Sequence, residues 1–377
     1  MRKTQILIVG GGLAGLTAAI HLSRQKIDVI LIEKEDYPHH KVCGEYLSRE
    51  IIPYLKSLEI DLDSLNAPII NRMQYSSVSG KTIDCNLEMG GIGVSRFSLD
   101  QLLYEKAREN GCETIKSVVT NIKFEDKKFV VSTSDEQLFT SEFVLGAFGK
   151  RSNLDKKLQR EFIQDQSGWL AVKAHYKTKS ESYPDDLVSL HNFNGGYCGL
   201  SKTELNTVNV CYLASYSSFK KHKNPKDYKT NVLMKNPHLN SFFNNVEMDF
   251  EKELSIAQIS FESKSLVNNH ILMLGDSAGL IHPLCGNGMA MAIHSAKIVS
   301  EAILDFYQKK NHIRNDVEMA YSKEWNANFK SRLATGRFLQ KILLNQSLSR
   351  LSQSLLNKVP KIMPHIIRKT HGKTVHV

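Results

Sequence analysis

The chain has 377 residues, 41% of them hydrophobic and 23% charged, with a formal net charge of +10. That length allows a large core or two domains, and the balance excludes a disordered or fibrous chain. The six cysteines (Cys43, Cys85, Cys112, Cys198, Cys211, Cys285) are scattered with no C-x-x-C, which argues for reduced thiols and against a disulfide frame or a metal site.

Ile6 to Val9 is a short apolar run, enough for one buried parallel strand. Gly10, Gly12 and Gly15 then give G-x-G-x-x-G: the first for a tight turn, the second for backbone approach to a pyrophosphate, the third for close helix packing. A helix is predicted over Leu13 to Gln25, its N-terminus aimed at the phosphates. Asp28 to Ile32 is the second strand, ending at Glu33, whose carboxylate suits the ribose hydroxyls of an adenosine and would repel a 2′-phosphate. Strand, turn, helix, strand and acidic end are in register, so the segment binds a dinucleotide, though this motif alone does not separate NAD from FAD. Arg2 and Lys3 before the apolar run resemble the start of an export signal, but the glycines and the lack of an A-x-A site argue for a cytoplasmic chain.

A loop and a helix near Glu45 to Ser57 follow, then strands and turns over 71–95. Residues 94–111 read as an amphipathic helix with Ser98 as N-cap and Gly111 as stop. Short strands are expected near 115–121, 128–133 and 143–147, and a glycine-punctuated loop at 146–156. From 165 to 261 the pattern changes to spaced strands, and no stretch reads as a clean membrane span. Ile271 to Leu274 then returns as a buried strand, followed by the loop "GDSAGLIHPLCGNG" and a helix from Met289 to Tyr307. A nucleotide-binding sheet closed by so distant a segment points to a longer ligand with a second anchor. Asp276 at a strand end suits a polyol hydroxyl, and Gly286, Gly288 and Met289 open a helix that can face partial negative charge. A flavin has both features.

At these residues the chain resembles the FAD-dependent fold of the p-hydroxybenzoate hydroxylase type: G-x-G-x-x-G, Glu33, and G-D-x-A-x-x-x-x-P-x-x-G-x-G. Gly279, where aromatic hydroxylases carry His, and "KVCGE" at 41–45 resemble the geranylgeranyl reductase branch and its flavin-dependent dehydrogenase relatives. The resemblance implies an α/β protein: a Rossmann-like FAD-binding domain (1–70, 96–164 and 262–310), an inserted α+β substrate domain (71–95 and 165–261), and a helical C-terminal region (311–377). It implies Gly10, Gly12, Gly15 and Arg96 at the pyrophosphate, Glu33 at the ribose, Val119 at the adenine, Asp276 at the ribityl or phosphate, and Gly286, Gly288 and Met289 at the ring edge. Phe148 replaces an aspartate of the relatives' G-A-D-G-x-x-S, which puts direct NAD(P)H use in doubt and leaves a reduced carrier as the other electron donor.

The resemblance implies reduction or dehydrogenation of carbon–carbon bonds in a lipophilic, isoprenoid or carrier-bound substrate. Its alternatives are a flavin monooxygenase acting on an aromatic or polyketide-like compound, and a flavin-bearing electron carrier. Cys43 and His282 are the candidate catalytic side chains, each against the plainer reading of a packed thiol or a structural histidine. Cys285 is a further candidate. The halogenase W-x-W-x-x-P element is absent, since Trp169 and Trp325 lie far apart. From Lys330 onward there are ten Lys and Arg and no Asp or Glu, so the tail carries the whole charge excess. Its Leu and Ile recur at helical spacing, interrupted by Pro360 and Pro364. That pattern fits helices with a solvated basic face, or docking to an anionic membrane surface or an acyl-carrier protein. Interleaved aromatics are lacking, so nucleic acid is not expected.

Overall fold

The computed structural model describes all residues except 165–166, 180–182, 310–312, 345–361 and 377. The apolar strand Arg2–Val9 lies at the centre of one sheet, pairing in parallel with Val29–Glu33 on one side and Leu138–Gly146 on the other. Ile6, Leu7 and Ile8 have no exposure at all, as expected of a parallel strand covered on both faces. Glu113–Lys116 extends the sheet beyond Val29–Glu33, and the late strand Ile271–Met273 joins in parallel beside Leu138–Gly146. The helices Leu13–Arg24 and Gly288–Gln308 pack against each other on this sheet.

A second, nine-stranded sheet runs in the order Val246–Met248, Trp169–Thr178, Val208–Ser215, Gly196–Lys202, Leu187–Phe193, Ile69–Ser76, Thr82–Gly93, Tyr46–Ser48, with Leu254–Ala257 also pairing Trp169–Thr178. The segments 69–93 and 169–257 therefore form one sheet although the helix Arg96–Glu109 and four strands of the first sheet separate them in sequence. This sheet faces the first across the loop 39–45. Among the described residues, no helix is long and apolar enough to cross a membrane.

Three local expectations are corrected. The helix expected from Glu45 starts only at Ile52, because Tyr46–Ser48 pairs with Gly91–Gly93 as an edge strand and Arg49–Ile51 forms a 3-10 turn. The helix Arg96–Glu109 is capped by Ser95, not Ser98: the Ser95 hydroxyl accepts from the Ser98 amide at 3.0 Å. Pro364 does not interrupt a helix but sits in the first turn of Ile362–Thr370, where a missing N–H costs nothing. Pro360 lies outside the described residues. The long helix Arg314–Leu344 runs alongside Gly288–Gln308 and buries Tyr321, Trp325 and Phe329.

Candidate active site

One cavity of about 1150 Å³ runs between the two sheets, and both glycine-rich turns open onto it. The first turn shows why its glycines differ. Gly10 has φ +106°, and a Cβ there would lie 2.3 Å from the Ala147 carbonyl oxygen; a Cβ on Gly15 would lie 2.0 Å from the Gly10 oxygen. These two permit packing. A Cβ on Gly12 would instead enter the cavity, meeting only the Arg96 guanidinium at 3.6 Å. At Gly12 the Leu13–Arg24 N-terminus therefore opens onto the cavity with the Arg96 guanidinium beside it.

That helix has no side-chain cap and no acidic residue in its first turn, and the same holds for Gly288–Gln308 at the second turn. Two uncapped N-termini of long helices facing one cavity leave amide donors for an anionic or partly negative group. Arg96 is clamped by Asp100 at 2.6 and 2.7 Å, and Lys41 donates to the same carboxylate at 2.9 Å. Burial alone would raise the Asp100 carboxyl, but Arg96 and Lys41 outweigh it and hold it below the ordinary carboxylate range. Glu33 lines the cavity beside Lys34, Val118 and Val119, and its carboxylate accepts from the Gly11 amide at 2.6 Å and the Lys34 amide at 2.9 Å. A carboxylate has further acceptor sites for ribose hydroxyls. Asp276 lines the far half, ion-paired to Lys150 at 3.2 Å. Gly286, Gly288 and Met289 line the cavity at its ring-edge loop. Nine of the ten residues expected at the cofactor line this one cavity; Gly15 does not, and instead packs the helix against the Gly10 carbonyl. The two helix N-termini and the donors around them fit an extended dinucleotide with a second anchor.

The two catalytic candidates separate. Cys43 lines the cavity, and its sulfur accepts from the Glu45 amide at 3.5 Å. His282 does not line it: it caps the 3-10 turn Pro283–Cys285 by accepting from the Leu284 amide and packs on Phe261. Burial pushes it down to about 3, so it stays neutral, and a catalytic role at the cavity is withdrawn. Cys285 reaches the cavity, but burial pushes its thiol up to about 12. Phe148 also lines the cavity, and Gly279 leaves room for the Trp325 ring, 2.9 Å from where its Cβ would stand.

Several residues escaped sequence reading. Lys150, two residues after Phe148, bridges Asp276 and the Val42 carbonyl, and burial, outweighed by Asp276, leaves its ammonium above the ordinary range. Glu45 is fully buried and accepts from Lys173, from His175 at 2.6 Å and from the Arg96 amide at 2.7 Å. With His40 these side chains form a His-Glu-His group whose ligand atoms lie within 4.8 Å. The Lys173 ammonium already holds the place a metal cation would take, so the set reads as a satisfied ion-pair network that pins loop 39–45 to the second sheet. The signal that could have found it is Lys173 and His175 alternating on one face of the strand "LAVKAHY".

Comparison with known proteins agrees with this geometry. A family model described as FAD binding domain matches residues 3–316. The digeranylgeranylglycerophospholipid reductase of Sulfolobus acidocaldarius is 23% identical over 380 residues, covering 90% of this chain and 78% of that one. The tryptophan 2-halogenase of Chondromyces crocatus is 23% identical over 374 residues, covering 91% and 67%. Among solved structures, the flavin-dependent brominase Bmp2 superposes with a TM-score of 0.80 at 19% identity, covering 98% and 93%.

Proposed function

The chain belongs to the FAD-binding-domain family, and from that premise we propose that this FAD-dependent oxidoreductase reduces or dehydrogenates a carbon–carbon bond of a lipophilic substrate. The observation that carries the reading is the cavity itself. It begins at two uncapped helix N-termini and continues past Cys43 into a wall of apolar side chains: Met73, Leu87, Val188, Leu190, Ile256 and Leu284. The similarity to digeranylgeranylglycerophospholipid reductases supports the same substrate chemistry.

FAD, when bound, supplies hydride transfer between its ring and the substrate carbon. The chain's own residues bind, orient and exclude water. Arg96 and the Leu13–Arg24 amides hold the anionic linkage, and Glu33 holds the ribose. Gly288 and Met289 present amides to the ring edge, and Asp276, kept in place by Lys150, takes a hydroxyl. Cys43 Sγ would hold the proton that the second alkene carbon requires, in a part of the cavity that Ile281, Leu284 and Leu213 also line.

A second reading, oxygen-dependent hydroxylation or halogenation, is favoured by the similarity to halogenases. One experiment separates them. The FAD-loaded protein is photoreduced without oxygen, then mixed with geranylgeraniol or with oxygen plus bromide and a phenol. Reoxidation by the polyprenyl compound alone, lost in Cys43→Ser, is the expected result. Oxygen or bromine found in the phenol product, with no reoxidation by the polyprenyl compound, would replace the first reading by the second.

A further inference from the structure

Away from the two glycine-rich turns, the lining of this cavity of about 1150 Å³ includes a cluster of apolar side chains that forms an arm. Its walls are Tyr46, Met73, Leu87, Val188 and Leu190 from the second sheet, and Ile367 from the helix Ile362–Thr370. Gly286 joins the arm to the ring-edge loop: a Cβ there would touch the Tyr46 ring at 3.5 Å. The sixth wall therefore comes from the basic C-terminal region, which the sequence assigned to surface or partner.

That region is latched in place. Glu50 is fully buried, and its carboxylate accepts from Arg332 at 3.1 Å, Asn287 at 3.1 Å and the Gly372 amide at 2.6 Å. The Glu50 carbonyl accepts from the Val375 amide at 2.7 Å. Asn287 also donates to the Thr370 carbonyl at 3.1 Å, and it directly precedes the helix that opens at the ring-edge loop. A side chain at residue 372 would displace the Arg332 guanidinium from its place, since a Cβ there would lie 2.0 Å from it. On the outer face Arg368 makes a two-pronged pair with Glu88. One buried carboxylate thus ties the long helix, the ring-edge loop and the chain's last residues together.

We infer that the segment 365–376 is a built wall of the substrate site, and that Ile367 is a specificity-determining residue that limits the hydrocarbon chain admitted to the arm. The occupant is the apolar chain of the substrate, because the arm is continuous with the cofactor cavity and lined by aliphatic and aromatic side chains. The inference rests on the lipophilic substrate proposed above and adds where its chain lies and what ends it.

The test uses the full-length, FAD-loaded protein and straight-chain primary alcohols of increasing length, which displace 1-anilinonaphthalene-8-sulfonate followed by fluorescence. Each added methylene should tighten binding about fourfold until the arm is full, then add nothing. Ile367→Ala should move that break to longer alcohols by about two methylenes, and Ile367→Trp to shorter ones, with FAD occupancy unchanged in both. Ile367→Ala alone suffices if the larger side chain prevents folding. A wild-type break that neither variant moves would overturn the assignment of Ile367 and leave the lipophilic reading standing. No dependence on length in the wild type would overturn both.

Discussion

Glu45 occupies a backbone region that side chains avoid, with φ +54°, and carries a carboxylate with no solvent exposure. Burial alone would raise it, but Lys173 and His175 outweigh that and hold it below the ordinary range. Its backbone carbonyl also accepts from the Val94 amide at 3.1 Å. The strain of one residue is thereby held by contacts from two separate segments, the strand Trp169–Thr178 and residues 94–96, and the product is the position of Cys43 two residues earlier. Lys173→Met leaves this carboxylate without its cation, and loss of one partner of a buried pair costs about 3–5 kcal/mol. Urea unfolding should show that loss. The double variant Glu45→Gln/Lys173→Met should recover most of it, and equal instability in single and double variants would mean the pair is not the source. Sequence reading placed Cys43 by resemblance but could not see its support, because Lys173 lies 128 residues away and its partner is set by tertiary pairing.

At the scale of elements, what was legible was local. The first strand, its turn and its helix follow one another in chain order, so period and glycine spacing located the turn and the helix to within a residue and the strand's end at Val9, while its start lies four residues earlier than the apolar run, at Arg2. The cap of Arg96–Glu109 was misplaced because Ser95 and Ser98 both precede the apolar positions, and only the contact with Glu204 chooses between them: its carboxylate accepts from the Ser95 amide at 2.7 Å and also from its hydroxyl. The strand Tyr46–Ser48 was missed for the same reason, since its ladder partner is Gly91–Gly93. Because the capped helix begins with Arg96, Ser95→Ala should act twice. It should destabilise the chain by about 1 kcal/mol or more through the lost cap, read as a lower thermal midpoint. It should also weaken FAD retention in dialysis, whereas Ser98→Ala does neither. Equal effects of the two substitutions would return the cap to Ser98.

For the whole molecule, the sequence showed how much charge the C-terminal region carries but not that Arg332 and Arg368 spend theirs on Glu50 and Glu88. Composition was equally silent about histidine. Burial holds His21 and His294 down to about 4, and His191 and His282 down to about 3, against an ordinary value of 6.5. Their stabilising effect is complete above the unfolded value. As pH falls below about 6.5 the unfolded chain takes up protons that the folded chain refuses, so stability is lost down to the folded values. Four such groups cost up to about 5 kcal/mol per pH unit, against a total stability of about 5–15 kcal/mol. The pairs at Glu45 and Asp100, whose carboxyls are held low, stay charged through this window and offer no earlier failure point. The chain should therefore unfold and release FAD between about pH 6 and 4.5, followed by circular dichroism and flavin fluorescence. His294→Leu, which removes one titrating ring from its place against Phe329, should shift that midpoint lower by a few tenths of a unit. A chain still folded at about pH 4 would mean these rings accept protons in place, and that their burial opens faster than the packing of the two sheets implies.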